Sequence, residues 1–294
     1  MRLNLVGPFV VNSPFGTEIA FKKGLELIGH EVNAVDPNLP DQIFWDNVDA
    51  TIVFKTAKEY NAMIPHLGGI KIVYQPDDFR FPHIRQMMHE MRDYCDFALS
   101  FDDTSAAAIV ESGYQHARSL LVTADPDLYK KMPSVTKDLD FVFVGSLSGD
   151  SCHASRLKML KILQAAGFKV AYVYGLYDIP KIVELYNRAK VVLNHATDVG
   201  QQFGTGYGYQ CRHFETGFSG ACLLTNTELG ERKIQSIVRF SDEQMLIERA
   251  KELLDSCELR ESYADNLYQE MNDFHRPEHR AAEITAFIEE CRLR

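Results

Sequence analysis

A chain of 294 residues, 46% of them hydrophobic and 24% charged, is long enough to bury a core in one large or two ordinary domains. Its net charge of −10 is shared between the halves, residues 1–137 holding 13 Lys/Arg against 18 Asp/Glu; with no basic stripe, the charge disfavours nucleic acid as a partner without ruling it out. Six scattered cysteines without a Cys-x-x-Cys pair argue against structural zinc, and no apolar run nears a membrane span, so the reading is a cytoplasmic protein with reduced thiols.

In chain order, the first half reads as strand 3–6, helix 17–28, strands 31–35 and 50–54, a helix near 57–65 and strand 70–74. It continues with helix 82–93, strand 96–100, helix 103–112 and strand 118–122. Lys130 to Asp138 is polar, contains Pro133 and lacks periodicity, which marks a linker. The second half reads as strand 140–144, helix 155–166, strand 168–174, helix 179–188 and strand 190–194. A Gly-rich stretch at 200–208 then precedes helix 211–219, strand 221–225, a short strand at 237–240, and helices 242–255 and 258–272. From Pro277 onward a charged amphipathic helix is expected to pack back toward the first domain. The expected organisation is thus a domain over 1–132, a second over 138–274, and a closing helix over 277–294.

The two halves open alike. Leu3 to Val6 runs into Gly7 and leads to Gly29-His30-Glu31-Val32; Phe141 to Val144 runs into Gly145 and leads to Gly167-Phe168-Lys169-Val170. Each glycine pair is 22 residues apart, and the second copy lies 138 residues after the first. A glycine lets the chain turn sharply at the carboxyl end of a strand, and the following helix offers free N–H groups there. Strands alternating with helices imply parallel sheets, hence an α/β fold of two Rossmann-like domains facing across a cleft.

The densest stretch is Arg212 to Thr225, in which a helix carries Arg212, Glu215 and Thr216 along one side, ends at Gly220 and feeds a buried strand. Glu215, Gly220 and Thr225 resemble the frame of the Glu-containing motif of retaining glycosyltransferases of the two-Rossmann (GT-B) fold. Arg212, Phe214, Glu215 and Gly220 resemble more closely the CgeB-like (spore maturation protein B) branch. That branch is also matched by Val144-Gly145 with Arg156, by Tyr174-Gly175, by Tyr186 to Asn194, and by His275, His279, Arg280 and Ala281. The likeness covers nearly all of the second half. It is weaker in the first, where Gly16-Thr17-Glu18, Gly29 to Val32 and Asp77-Asp78 carry it. One departure is that Gln202-Phe203-Gly204 lacks the acid of the wider family's Glu-x-Phe-Gly motif.

The resemblance implies a hexosyltransferase that takes a nucleoside-diphosphate sugar as donor and needs no metal or other cofactor. Retention is the implied stereochemistry. Glu215 would accept hydrogen bonds from the ribose hydroxyls, and Arg212 or Arg156 would meet the diphosphate. Fixed cations there favour departure of the charged leaving group. The less favoured alternative is that Glu215 caps the helix or pairs with Arg212 on a solvated face. Gly204 to Gly208, with Gly206 and Tyr207, reads as a donor-side loop or as a surface loop. Gly145, Ser146, Tyr174, Gly175 and Asn194 mark strand ends on the donor side, or are simply turn residues. His195 beside Asn194 reads more readily as structural.

In the first domain Asp77 and Asp78 end a buried strand, suited to acid/base work, to capping the helix near Pro82, or to pairing with Arg80 and Arg85. Phe15, Gly16 and Thr17 form a candidate acceptor-side loop, with Thr17 also readable as a helix cap. Asp125-Pro126-Asp127 and Asp138-Leu139-Asp140 have a metal-like spacing but are placed at a turn and along one strand face. Rival readings are a nucleotide-sugar epimerase, a phage-type transferase acting on hydroxymethylated DNA bases, and a non-catalytic sugar-nucleotide binder or spore-surface protein. The acceptor stays unassigned.

Overall fold

The computed structural model describes residues 1–10, 14, 16–39, 43–54, 63–147, 154–196, 206, 208–227 and 234–294. Contacts divide the chain into two units, Met1–Thr123 together with Arg276–Arg294, and Ala124–His275. Among the described residues no helix is long and apolar enough to cross a membrane.

The first unit is built on β1 (Arg2–Val6), β2 (Glu31–Val35), β3 (Ala50–Phe54), β4 (Ile70–Gln75), β5 (Phe97–Ser100) and β6 (His116–Ser119), parallel throughout in the order β2-β1-β3-β4-β5-β6. Among its described residues up to Thr123 the helices are α1 (Thr17–Leu27), α2 (Pro82–Met91) and α3 (Asp103–Glu111). Every residue of β3 is buried, as expected of a strand covered on both faces. Pro82 opens α2 where its missing N–H costs nothing, and Asp102 caps α3 by accepting from the Ser105 N–H at 2.6 Å. Of the expected helix near 57–65, residues 57–62 lie outside the described residues, and Ile64–His66 forms one 3-10 turn.

The second unit carries β7 (Leu139–Val144), β8 (Val170–Val173), β9 (Ala189–Asn194), β10 (Cys222–Thr225) and β11 (Val238–Arg239) in the order β11-β10-β9-β7-β8, again parallel. Around it lie α4 (Ala154–Ala165), α5 (Ile179–Arg188), α6 (Cys211–Phe218), α7 (Glu243–Asp255) and α8 (Cys257–Phe274). Phe141, Phe143, Leu160, Leu193 and Leu224 are among its core residues. Asp178, Asp242 and Ser256 cap α5, α7 and α8.

The two openings repeat in atomic detail. Gly7 N–H donates to Val35 O at 3.0 Å and Gly145 N–H to Val173 O at 3.0 Å. Gly29 and Gly167 close their helices at φ of +90° and +89°, a conformation that glycine adopts without strain. The closing bonds match too, His30 N–H to Leu25 O and Phe168 N–H to Leu163 O. This cap explains why β8 starts at Val170 rather than at 168.

The remaining differences have similarly local causes. Leu120 to Val122, expected as strand, are buried but lie beyond the end of β6. Burial produces the same apolar run whether or not the chain joins a ladder. The 130–138 stretch, read as a linker, belongs to the second unit, whose boundary falls earlier, at Ala124. Its polar groups are tied down there: Met132 N–H donates to Asn187 Oδ1 at 2.6 Å, and Lys137 to Ala189 O at 3.0 Å. The last helix, α9 (Pro277–Arg292), belongs to the first unit and lies against α1 so closely that a Cβ on Gly24 would stand 2.2 Å from Pro277 O.

Candidate functional site

The site is built on α6 at the carboxyl end of the second sheet. Gln210 opens the helix by donating its backbone N–H to His213 Nδ1 at 3.1 Å, and Gly220, at φ +63°, closes it. His213, Phe214, Gly217 and Phe218 are buried. A Cβ on Gly217 would meet Met271 Cγ of α8 at 2.3 Å, so glycine sets how closely the two helices approach. Arg212 and Glu215, three positions apart, stay partly accessible on a neighbouring face.

The Glu215 carboxylate is held from behind by two phenols. Tyr186 of α5 donates to Oε2 at 3.0 Å, and Tyr129 makes a second side-chain hydrogen bond to the carboxylate. Desolvation raises the Glu215 pKa above the ordinary carboxylate range, while the Arg212 charge and the two hydroxyls act to lower it. Both phenols are themselves pushed well up, by burial first and by the Glu215 charge second. They therefore remain donors at any ordinary pH. The result is a carboxylate with a fixed plane.

Besides a side-chain hydrogen bond with Tyr186, three contacts place Arg212. Its guanidinium lies over the Phe143 ring at 5.1 Å, Nη1 donates to Asn194 Oδ1 at 2.9 Å, and Nη2 occupies the space that a Cβ on Gly145 would fill, only 2.5 Å away. Among the described residues its buried Nε–H has no partner. A planar cation beside a rigid carboxylate suits a ligand carrying both an anion and vicinal hydroxyls.

The other expected donor-side residues divide. Arg156 is buried and holds the chain instead, donating through Nε to His195 O at 3.1 Å and through Nη1 to Ser146 O at 3.1 Å. Asn194 is fully buried behind Arg212 rather than presented to a ligand. Thr216 is fully buried as well, with no hydrogen-bond partner for Oγ1 among the described residues. Gly206 donates to Asn226 O at 2.9 Å, and a Cβ there would lie 2.4 Å from Ala196 Cβ, so its glycine is a packing requirement. Tyr174, after β8, is 65% exposed, and Gly175 turns beside it at φ +68°. His195 is buried against Ala196 O at 2.8 Å and close to the Asn226 amide. Tyr207 and Phe15 lie outside the described residues, as does Gly204.

In the first unit the Asp77-Asp78 pair splits. Asp77 is exposed, whereas Asp78 is buried and gripped by Arg80, accepting its backbone N–H at 2.8 Å and two bonds from Nε at 2.8 and 2.9 Å. The two carboxylates do not share a site. Thr17 is the first helical residue of α1, and the cap is Gly16, whose carbonyl accepts from Ile19 N–H at 3.0 Å. Of the metal-like strings, Asp125 turns the chain by accepting Asp127 N–H, while Asp138 and Asp140 pair with Arg188 and Lys190.

What residue-by-residue reading missed is Tyr129 and the hydroxyl work of Tyr186. Tyr129 stands 86 positions before Glu215, in a stretch with no motif of its own. An aromatic ring in a buried segment reads as core; only the fold shows where its hydroxyl goes.

Several solved structures share this fold. An alpha-glucosyltransferase in complex with UDP and a 13-mer DNA containing an HMU base superposes with a TM-score of 0.71 at 12% identity, over 98% of this chain and 99% of that one. HepE from Anabaena, in complex with UDP-glucose, gives 0.64 at 12% identity over 99% and 100%. AviGT4, a glycosyltransferase involved in avilamycin A biosynthesis, gives 0.63 at 14% identity over 98% and 97%. No curated protein matches the chain in sequence. Residues 130–286, just over half of the 294, match the model of the glycosyl transferase-like family. The chain belongs to that family, and is a glycosyltransferase of the GT-B fold.

Proposed function

We propose that the protein transfers a hexose-type sugar from a UDP-sugar, with retention and without a metal, and that it lies within the CgeB-like branch of its family. The observation that carries this reading is the Glu215 carboxylate, locked by Tyr129 and Tyr186 beside the Arg212 guanidinium over Gly145. Glu215 accepts the two ribose hydroxyls, and the Arg212 guanidinium meets the diphosphate. As the glycosidic bond breaks, negative charge accumulates on that diphosphate, and a cation already fixed in place stabilises the transition state more than the ground state. The leaving phosphate takes the acceptor's proton, so no protein base is required. UDP or UDP-glucose as ligand of the similar structures supports the choice of nucleotide. The acceptor side is assigned to the first unit, where exposed Asp77 is the candidate contact.

Isothermal calorimetry with UDP, UDP-glucose and UDP-N-acetylglucosamine, followed by a donor-hydrolysis assay, tests the reading. Micromolar UDP binding with slow hydrolysis above background is expected. Binding without hydrolysis would favour the non-catalytic binder, and no binding of any nucleoside diphosphate would end the donor assignment. The likeness to a DNA-bound glucosyltransferase makes one further acceptor worth including, duplex DNA with a hydroxymethylated base. The net charge of −10 argues against it.

A further inference from the structure

Behind Arg212 the second unit buries a continuous row of polar side chains. Asn194 and Thr225 are paired in register at the ends of β9 and β10, and Asn194 Nδ2 donates to Thr225 Oγ1 at 3.1 Å. Thr225 Oγ1 lies 3.0 Å from Thr227 Oγ1, which in turn lies 2.9 Å from His213 Nε2. All four residues are buried to within 1% of complete, where an apolar core would be the simpler solution.

The order of this row follows from what each group can do. Arginine only donates, so Arg212 Nη1 fixes the Asn194 amide with its oxygen toward the guanidinium and its NH2 toward Thr225. The two lone pairs of Thr225 Oγ1 are taken by Asn194 Nδ2–H and by Thr227 N–H at 3.2 Å. Its own hydrogen is left for Thr227 Oγ1. The Asn194 amide therefore cannot turn over without leaving a buried donor facing a cation and a buried acceptor facing a hydroxyl that already donates elsewhere.

We propose that Asn194, backed by Thr225, Thr227 and His213, is a positioning residue that locks the Arg212 guanidinium for the departing diphosphate. Asn194 itself does not touch the donor; this rests on the donor reading given above. A free arginine side chain loses much rotamer freedom when it binds, and a guanidinium that is already held loses less. The buried row thus raises affinity for the diphosphate, and adds most where leaving-group charge is greatest.

UDP calorimetry on the full chain tests this with Thr225→Val, Thr225→Ser, Asn194→Asp and each change combined with Arg212→Ala. Thr225→Val should weaken UDP binding about tenfold, and Thr225→Ser, which restores the hydroxyl, should recover most of that loss. In the Arg212→Ala background Thr225→Val should add nothing, because the row acts through that arginine. Asn194→Asp keeps the side-chain shape and weakens UDP binding by a similar factor through neutralising Arg212, so the inference stays testable if Thr225→Val does not fold. Wild-type affinity in Thr225→Val and Asn194→Asp, or an equal loss with and without Arg212, would overturn this inference alone. A wild-type protein that binds no UDP would overturn the donor reading and this inference with it.

Discussion

A Cβ atom on Gly145 would stand 2.5 Å from Nη2 of Arg212. The glycine at the end of β7 is thus the seat of the cation, and its φ of +156° adds a second reason why no side chain belongs there. Phe143, two residues earlier, supplies the ring beneath the guanidinium, so one strand end both admits and supports it. Gly145→Ala should displace Arg212 while leaving the sheet intact. Affinity for UDP in calorimetry is expected to fall about tenfold or more, the scale of a lost charge-assisted hydrogen bond. Unchanged affinity would show that Arg212 does not meet the nucleotide.

Glu215→Gln preserves size and removes the charge that would hold the ribose diol. Affinity for UDP should drop about tenfold or more. Tyr186→Phe leaves the carboxylate charged but frees its plane, and a loss of only about fivefold is expected, near 1 kcal/mol. Calorimetry of the two variants side by side checks the order, and a larger loss in Tyr186→Phe would contradict it.

Asp77 and Asp78 should behave differently although adjacent. Asp78→Asn removes the charge that holds Arg80 in a buried turn, and a loss of about 1–3 kcal/mol in denaturant unfolding is expected. Asp77→Asn should leave stability within about 0.5 kcal/mol, as for an ordinary surface substitution, and lower turnover if the exposed carboxylate meets the acceptor. Normal transfer by the Asp77 variant would remove the first unit's acid from the mechanism.

Burial holds the His213 imidazole neutral, its pKa lowered from 6.5 to about 4. Above pH 6.5 neither folded nor unfolded chain carries that proton. Between pH 6.5 and about 4 the unfolded chain takes it up while the folded one does not, so stability falls as the pH falls through this window. The full contribution is about 3 kcal/mol. Melting temperature should therefore decline less steeply over this range in His213→Gln than in the wild type, which thermal denaturation in a buffer series will show.

Where α9 crosses α1, Gly24 allows backbone contact with Pro277. Gly24→Ala places a methyl group against a carbonyl that cannot rotate away. A destabilisation of about 1–3 kcal/mol is expected, from overpacking, with UDP affinity preserved. Thermal unfolding alongside calorimetry separates the two effects.

The fold was largely legible in the amino-acid sequence. Strand–Gly–helix periodicity is a local property, and Gly29 and Gly167 are needed for backbone reasons that do not depend on the rest of the molecule. The same holds for the helix carrying Arg212 and Glu215, whose spacing alone puts both on adjoining faces. The family pattern pointed to those two residues; their surroundings came only from the tertiary structure. Tyr129 reaches Glu215 from the far end of the unit, Arg156 turns inward to two carbonyls, and Asn194 stands behind Arg212 instead of beside a ligand. Asp77 and Asp78 are indistinguishable as neighbouring letters, yet one faces solvent and the other is closed in by Arg80. Periodicity records which face of an element is apolar, because burial acts on every residue of that face. The partner of a polar group is set by the packing of elements distant in sequence, and no local pattern encodes it.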